Sequence, residues 1–156
     1  MIIQGSRSAL EGYNGKHKQR TQRLIEFTKD ACNLYRELLD FPKDVTIVIK
    51  PMKKFAGLYY EDKKKVDISF GFSPSIPYLE ILAHELVHAE QHHTSKIHPV
   101  WLKEKRAWAY RWDGKLWDNN ITDYQHYINQ PWEIEAFTRQ SELALTVWEV
   151  LETKYS

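Results

Sequence analysis

Residues His84-Glu85-Leu86-Val87-His88 set two imidazoles four positions apart, with a carboxylate directly after the first. On a helix, side chains four apart stand one above the other, so both rings can reach a single ion. Each residue turns about 100° around the axis, which puts Glu85 beside that ion, in reach of a water held there. Two histidines at this spacing suit one zinc ion, and the glutamate after the first suits the general base of a hydrolysis. The flanks agree with a helix. Ser73-Pro74-Ser75-Ile76-Pro77 supplies capping serines and first-turn prolines. From there Leu79, Leu82, Leu86 and Ala89 form one apolar stripe, and His84 and His88 are expected on the opposite side, beside Glu80 and Gln91.

Zinc needs a third protein ligand. Where the third ligand is a histidine, it stands six residues after the second, with a glycine midway; here those positions hold Thr94 and Gln91. His92, His93 and His98 are out of register and are read as surface residues at a fraying helix end. A carboxylate on a second helix is the remaining source. Pro131 can open a helix running to about Lys154. On it Glu133, Ala136, Phe137, Gln140, Ala144, Val147, Trp148 and Leu151 fall within about 60° of one line. Glu135 lies about 160° away from Glu133 and can pair with Arg139 four residues on. A glutamate on an inward stripe requires a partner, because a buried unpaired carboxylate is costly. The pattern therefore selects Glu133 over Glu135.

Together, His84-Glu-Leu-Val-His88 and Pro131-Trp-Glu133-Ile-Glu135-Ala136 resemble the minimal gluzincins, small zinc metallopeptidase-like domains found in bacteria, phages and mobile elements. The resemblance covers about residues 55–144. In better-known relatives the third-ligand helix reads Glu-x-x-Ala-Asp, and its first Glu binds zinc. Glu133-Ile-Glu-Ala136 fits, but Phe137 stands in place of the Asp. Any bond that Asp makes elsewhere must come from another residue here or be absent. The resemblance implies a zincin-like fold and a peptide-hydrolysing zinc site. It also implies that the strand before the metal helix, Val66–Phe70, lies along the cleft and pairs with an extended peptide.

The elements that must position these residues can be read in turn. A chain of 156 residues with net charge +1 suggests one domain with a real core and offers no global electrostatic case for a nucleic-acid partner. The single cysteine, Cys32, rules out an internal disulfide and is expected as a small core residue on the first helix. No run of roughly 20 apolar residues and no signal-peptide core are visible, so a soluble, cytoplasmic or virion-associated protein without a membrane partner is expected. Residues 1–17 read as an irregular arm, and 18–156 as a single domain. The spacing of Leu24, Phe27, Ala31, Leu34 and Leu38 predicts a helix over 18–39, ended by Pro42. Residues 45–50, 56–60 and 65–70 read as three strands. The fold class expected is α+β: a small mixed sheet, the active-site helix and a long C-terminal helix.

Between the two candidate metal helices lie Trp101, Trp108, Tyr110, Trp112, Trp117, Tyr124 and Tyr127. Asp113-Gly114 predicts a hairpin turn among them. These aromatics are expected to cover a small sheet and wall the cleft, rather than to stack on bases. Tyr127, His126 and Tyr124 are the candidates for a donor to a developing oxyanion, with Tyr127 favoured because it stands nearest the Glu133 helix. Two other functions stay open: a non-enzymatic interaction protein on a zincin scaffold, and a nucleic-acid-associated hydrolase or binder using Lys53-Lys54, Lys63–Lys65 and the N-terminal basic run.

Overall fold

A computed structural model describes residues 1–11, 16–117 and 123–156. Among them the protein is mixed α+β. Strand β1 (Ile2–Gly5) and helix α1 (Arg7–Glu11) precede helix α2 (Lys16–Leu38) and strands β2 (Thr46–Lys50), β3 (Gly57–Tyr60) and β4 (Lys65–Ser69). Helix α3 (Ile76–His93) follows, then strands β5 (Ile97–Leu102), β6 (Ala107–Trp112) and β7 (Lys115–Trp117), helix α4 (Tyr124–Ile128) and the long helix α5 (Pro131–Tyr155). The predicted α2, β2, β3, β4, α3 and α5 are all present, within a residue or two of the expected bounds.

The four-stranded sheet has the order β1-β2-β4-β3, with β3 antiparallel to its neighbour and the other pairs parallel. Its apolar residues Ile47, Ile49, Val66 and Ile68 join Leu24, Phe27, Leu79, Leu82 and Leu86 in one buried cluster, so α2 and α3 close the same core. Cys32 lies in that core, as expected. Buried polar groups there are paired: the Thr28 hydroxyl donates to the Leu24 carbonyl and meets the Tyr78 hydroxyl at 2.6 Å, and Tyr35 donates to the Leu79 carbonyl at 2.9 Å. Such pairing avoids the cost of an orphaned buried hydroxyl.

Two expectations about this layer need correction. The described part of residues 1–17 is not an irregular arm. Ile2–Gly5 adds to the sheet in register with Thr46–Ile49, and Thr21 on α2 donates to the Ala9 carbonyl of α1; Gly12 and Gly15 lie outside the described residues. Strand β4 is not available to an added peptide. It is hydrogen-bonded to β2 on one side and β3 on the other, so Val66–Phe70 offers no open edge. The open edge beside α3 belongs to β3.

Helix α5 packs along α3 and is fixed at both ends. Near its start, Arg139 meets Glu90 of α3 at 2.7 Å; at its end, Lys154 and Tyr155 bond Asp30 of α2 at 2.9 and 2.6 Å. A separate antiparallel ribbon, β5-β6-β7, stands between α3 and α5 in the chain. The predicted Asp113-Gly114 turn joins β6 to β7, with both φ angles positive (47° and 79°) as the tight mirror-image hairpin turn requires. Strand β5 was not anticipated; His98 lies on it rather than at a helix end. No described helix is long and apolar enough to cross a membrane.

Candidate metal centre

Helix α3 starts at Ser75, whose side chain accepts from the Tyr78 N–H, and Pro77 fills the first turn. Its surroundings differ from the sequence reading. The helix is buried on more than the Leu79–Leu82–Leu86 side, because α5 and β3 cover a second face that holds His84, Glu85 and Gln91. The histidines therefore do not face solvent. Their face is a polar seam inside the protein.

Glu133, in the first turn of α5, points into that seam. Its Oε2 lies 3.1 Å from His84 Nε2 and its Oε1 3.1 Å from His88 Nε2, while the two Nε2 atoms are 3.2 Å apart. One ligand atom from each of His84, His88 and Glu133 falls within a 4.8 Å span. These separations can be set against an ion. Atoms bound to zinc at about 2.0–2.1 Å in tetrahedral directions lie roughly 3.3 Å from one another. The donor set, two imidazoles and a carboxylate with space on a fourth side, fits a metal of the zinc kind. Glu135 points elsewhere, toward Lys96 and Arg139, as its place on the opposite stripe foretold.

The outer nitrogens of both rings are held by glutamines. Gln91 Oε1 accepts from His88 Nδ1 at 2.9 Å, and Gln140 Oε1 accepts from His84 Nδ1 at 2.9 Å. Gln91 has its nitrogen on the Trp132 carbonyl at 3.0 Å; a carbonyl only accepts, so the amide oxygen must face the histidine. An amide oxygen on Nδ1 keeps the proton there and leaves the Nε2 lone pair turned toward the shared point. Phe137 packs its ring 4.6 Å from that of His84. Neither glutamine was identified from the sequence. The signal was present for one of them: Gln140 is a polar residue on the inward stripe of α5, two turns beyond Glu133.

Electrostatics follow from this packing. Burial favours the neutral form of Glu133, but bonds from His84 and His88 outweigh it and hold the carboxyl down at about 2. Burial also works against a charged His88, yet the adjoining Glu133 raises the imidazole above its ordinary value. For Glu85 the balance is reversed: burial raises its carboxyl, and the neighbouring histidines only partly offset that. The Tyr59 backbone N–H also acts on Glu85, stabilising its charged form. Gly57 lets β3 come this close. A Cβ at that position would stand 2.8 Å from Ile81 Cγ2 and 3.1 Å from Glu85 Oε1.

Two hollows flank the cluster. One, of about 610 Å³, is lined by Phe55, Ile81, Phe137 and Tyr124 beside His84 and Glu85. The other, of about 210 Å³, runs between Tyr59, His92, Tyr110 and Trp132 beside His88 and Glu133. Tyr127 lines both, and its hydroxyl bonds Glu133, which with burial pushes the phenol well above its ordinary range. Of the three donor candidates only Tyr127 reaches the cluster; Tyr124 is exposed and stacks on it at 6.5 Å, and His126 is exposed on α4. His92, His93 and His98 stay out of the ligand group. His92 is half-buried rather than frayed, held by Glu61 at 2.6 Å. Of the lysines in the basic clusters, Lys64 and Lys65 are ion-paired with Asp44 and Asp67.

Compared with protein-family models, curated proteins and solved structures, the chain has no match.

Proposed function

We propose that this protein is a zinc-dependent peptidase with a zincin-like core of the minimal gluzincin kind. The observation that carries the reading is the convergence of His84 Nε2, His88 Nε2 and a Glu133 oxygen at 3.1–3.2 Å, with the buried Glu85 next to them. A zinc ion held by these three residues would supply a Lewis acid and bring the pKa of a bound water toward about 7. Glu85 takes the proton of the attacking water and returns it to the leaving amine. Its burial favours the protonated form it must adopt between those two transfers. Tyr127 donates its hydroxyl hydrogen to the oxyanion as it develops on the substrate carbonyl.

The substrate strand belongs on β3. Ser69 N–H donates to the Ala56 carbonyl, so residues 56, 58 and 60 pair with β4 in this antiparallel register. The backbone groups of Gly57 and the carbonyl of Tyr59 therefore face the open edge, where an extended peptide can add, while the Tyr59 N–H is held by Glu85. Glu85→Gln is expected to retain zinc and lose peptide hydrolysis, whereas His84→Ala loses both. Turnover of a peptide library that persists undiminished in Glu85→Gln would refute the assigned base. Zinc binding with no turnover in the wild type would instead favour a non-enzymatic scaffold.

A further inference from the structure

We propose that the aromatic face of the β5–β7 ribbon binds single-stranded nucleic acid through its outer rings, Trp101 and Trp108. The register puts the rings on one side. Trp101 stands opposite Trp108 and Pro99 opposite Tyr110, while Tyr110 and Trp112 continue the face inward to Trp132, at ring distances of 5.3 and 6.4 Å. The inner rings are half-buried there, and Tyr110 walls the smaller hollow. The outer two are not buried. Trp101 is 47% exposed and Trp108 59%, their rings tilted against each other at 5.3 Å. Two open indoles side by side are an unusual cost for a protein surface and mark it as a contact site.

Charge identifies the partner as anionic. Residues 97–117 hold five Lys or Arg against two Asp or Glu, an excess of +3, in a chain whose total is only +1. The rest of the molecule is therefore acidic on balance, and the weak global charge conceals a basic ribbon. Lys103 and Arg106 border the exposed rings in the β5–β6 turn, and Lys115 lies over the Trp117 ring, 5.2 Å from its centre. Rings flanked by cations along an extended strand suit bases that stack while their phosphates meet the lysines and arginines. An anionic membrane fits less well. The end of the ribbon, Lys103-Glu104-Lys105-Arg106, is wholly charged and exposed, so it has no apolar wedge to enter a bilayer.

The test is a fluorescence-anisotropy titration of the full chain with labelled oligothymidylate at low salt. Anionic phosphatidylserine vesicles and polyglutamate serve as competing anions. The oligonucleotide is expected to bind. Trp101→Ala and Trp108→Ala should each weaken it about ten-fold or more, with Trp→Phe recovering most of the loss. Lys103→Gln with Arg106→Gln should lower the salt slope by about two. Both indoles are exposed, so these variants should keep the wild-type zinc content, which reports folding. No binding at low salt overturns the proposal, as does equal binding by the tryptophan variants. Preference for vesicles assigns the face to a membrane instead, and polyglutamate binding as tightly as the oligonucleotide assigns it to an acidic protein; either result refutes the proposal.

Discussion

If the two glutamines hold the ligand imidazoles, removing them should separate metal affinity from fold stability. Gln140 contributes one bond to the site, from its amide oxygen to His84 Nδ1 at 2.9 Å, and it is only partly buried. Gln140→Leu frees that ring to rotate without leaving a deep cavity, so zinc affinity should fall about 10- to 100-fold, or roughly 1.4–2.7 kcal/mol. The metal-free melting temperature should barely move. Gln91 is different. It is 1% exposed and ties His88 to α5 through the Trp132 carbonyl at 3.0 Å and Glu135 at 3.3 Å. Gln91→Leu loses the same ring support and also these cross-helix bonds, at about 1 kcal/mol each and more where a partner is left buried and unpaired. It should lower metal-free stability by about 2–4 kcal/mol as well as weakening zinc. Competition against a chromogenic chelator measures the first quantity, and thermal melts of chelator-treated protein measure the second. Unchanged zinc affinity in Gln140→Leu would refute the claim that this amide orients the ring.

Other outcomes follow from the same geometry. Gly57→Ala should cost about 1–3 kcal/mol and depress any hydrolysis, because its Cβ would stand 2.8 Å from Ile81 and 3.0 Å from Glu85 Cγ; normal stability together with normal turnover would contradict the close packing of β3 on α3. The metal-free site should also impose a pH dependence. The folded pKa of His88 is raised, so its contribution to stability is fully present below about 6.5 and is lost as pH rises through the folded value. Zinc needs that ring neutral, so zinc uptake near neutrality should release a proton and its affinity should fall with acidification through the same window. Glu133, held at about 2, stays ionised throughout and is not the group that titrates. Calorimetry in buffers of differing ionisation enthalpy measures the proton count, and a zinc affinity flat with pH across that window would be inconsistent with the His88–Glu133 pairing.

Much of this site could be read from local spacing. His84, Glu85 and His88 declare themselves on one helix, and the inward stripe of α5 separates Glu133 from Glu135 because a helix turns by a fixed angle per residue. What escaped the reading depends on packing between distant segments. Gln91 was placed opposite the apolar stripe with no partner named, since nothing in α3 alone reveals that α5 covers it. β1 was missed because its reason for being a strand is its pairing with Thr46–Ile49, some forty positions along the chain. Strand order in the sheet is likewise a long-range property, so the open edge beside the site was assigned to β4 instead of β3. The exposure of Trp101 and Trp108 was hidden for a similar reason: composition favours burying indoles, and only the ribbon's register shows which rings reach the core.

Zinc stoichiometry decides whether the two helices build one coordination sphere. Purified wild-type protein, Glu133→Ala and Glu135→Ala are to be loaded with zinc, dialysed and assayed by atomic emission. One equivalent should remain in the wild type and in Glu135→Ala, whose carboxylate serves Lys96 and Arg139, while Glu133→Ala should lose it. Full retention in Glu133→Ala, or no zinc in the wild type, would exclude such a sphere.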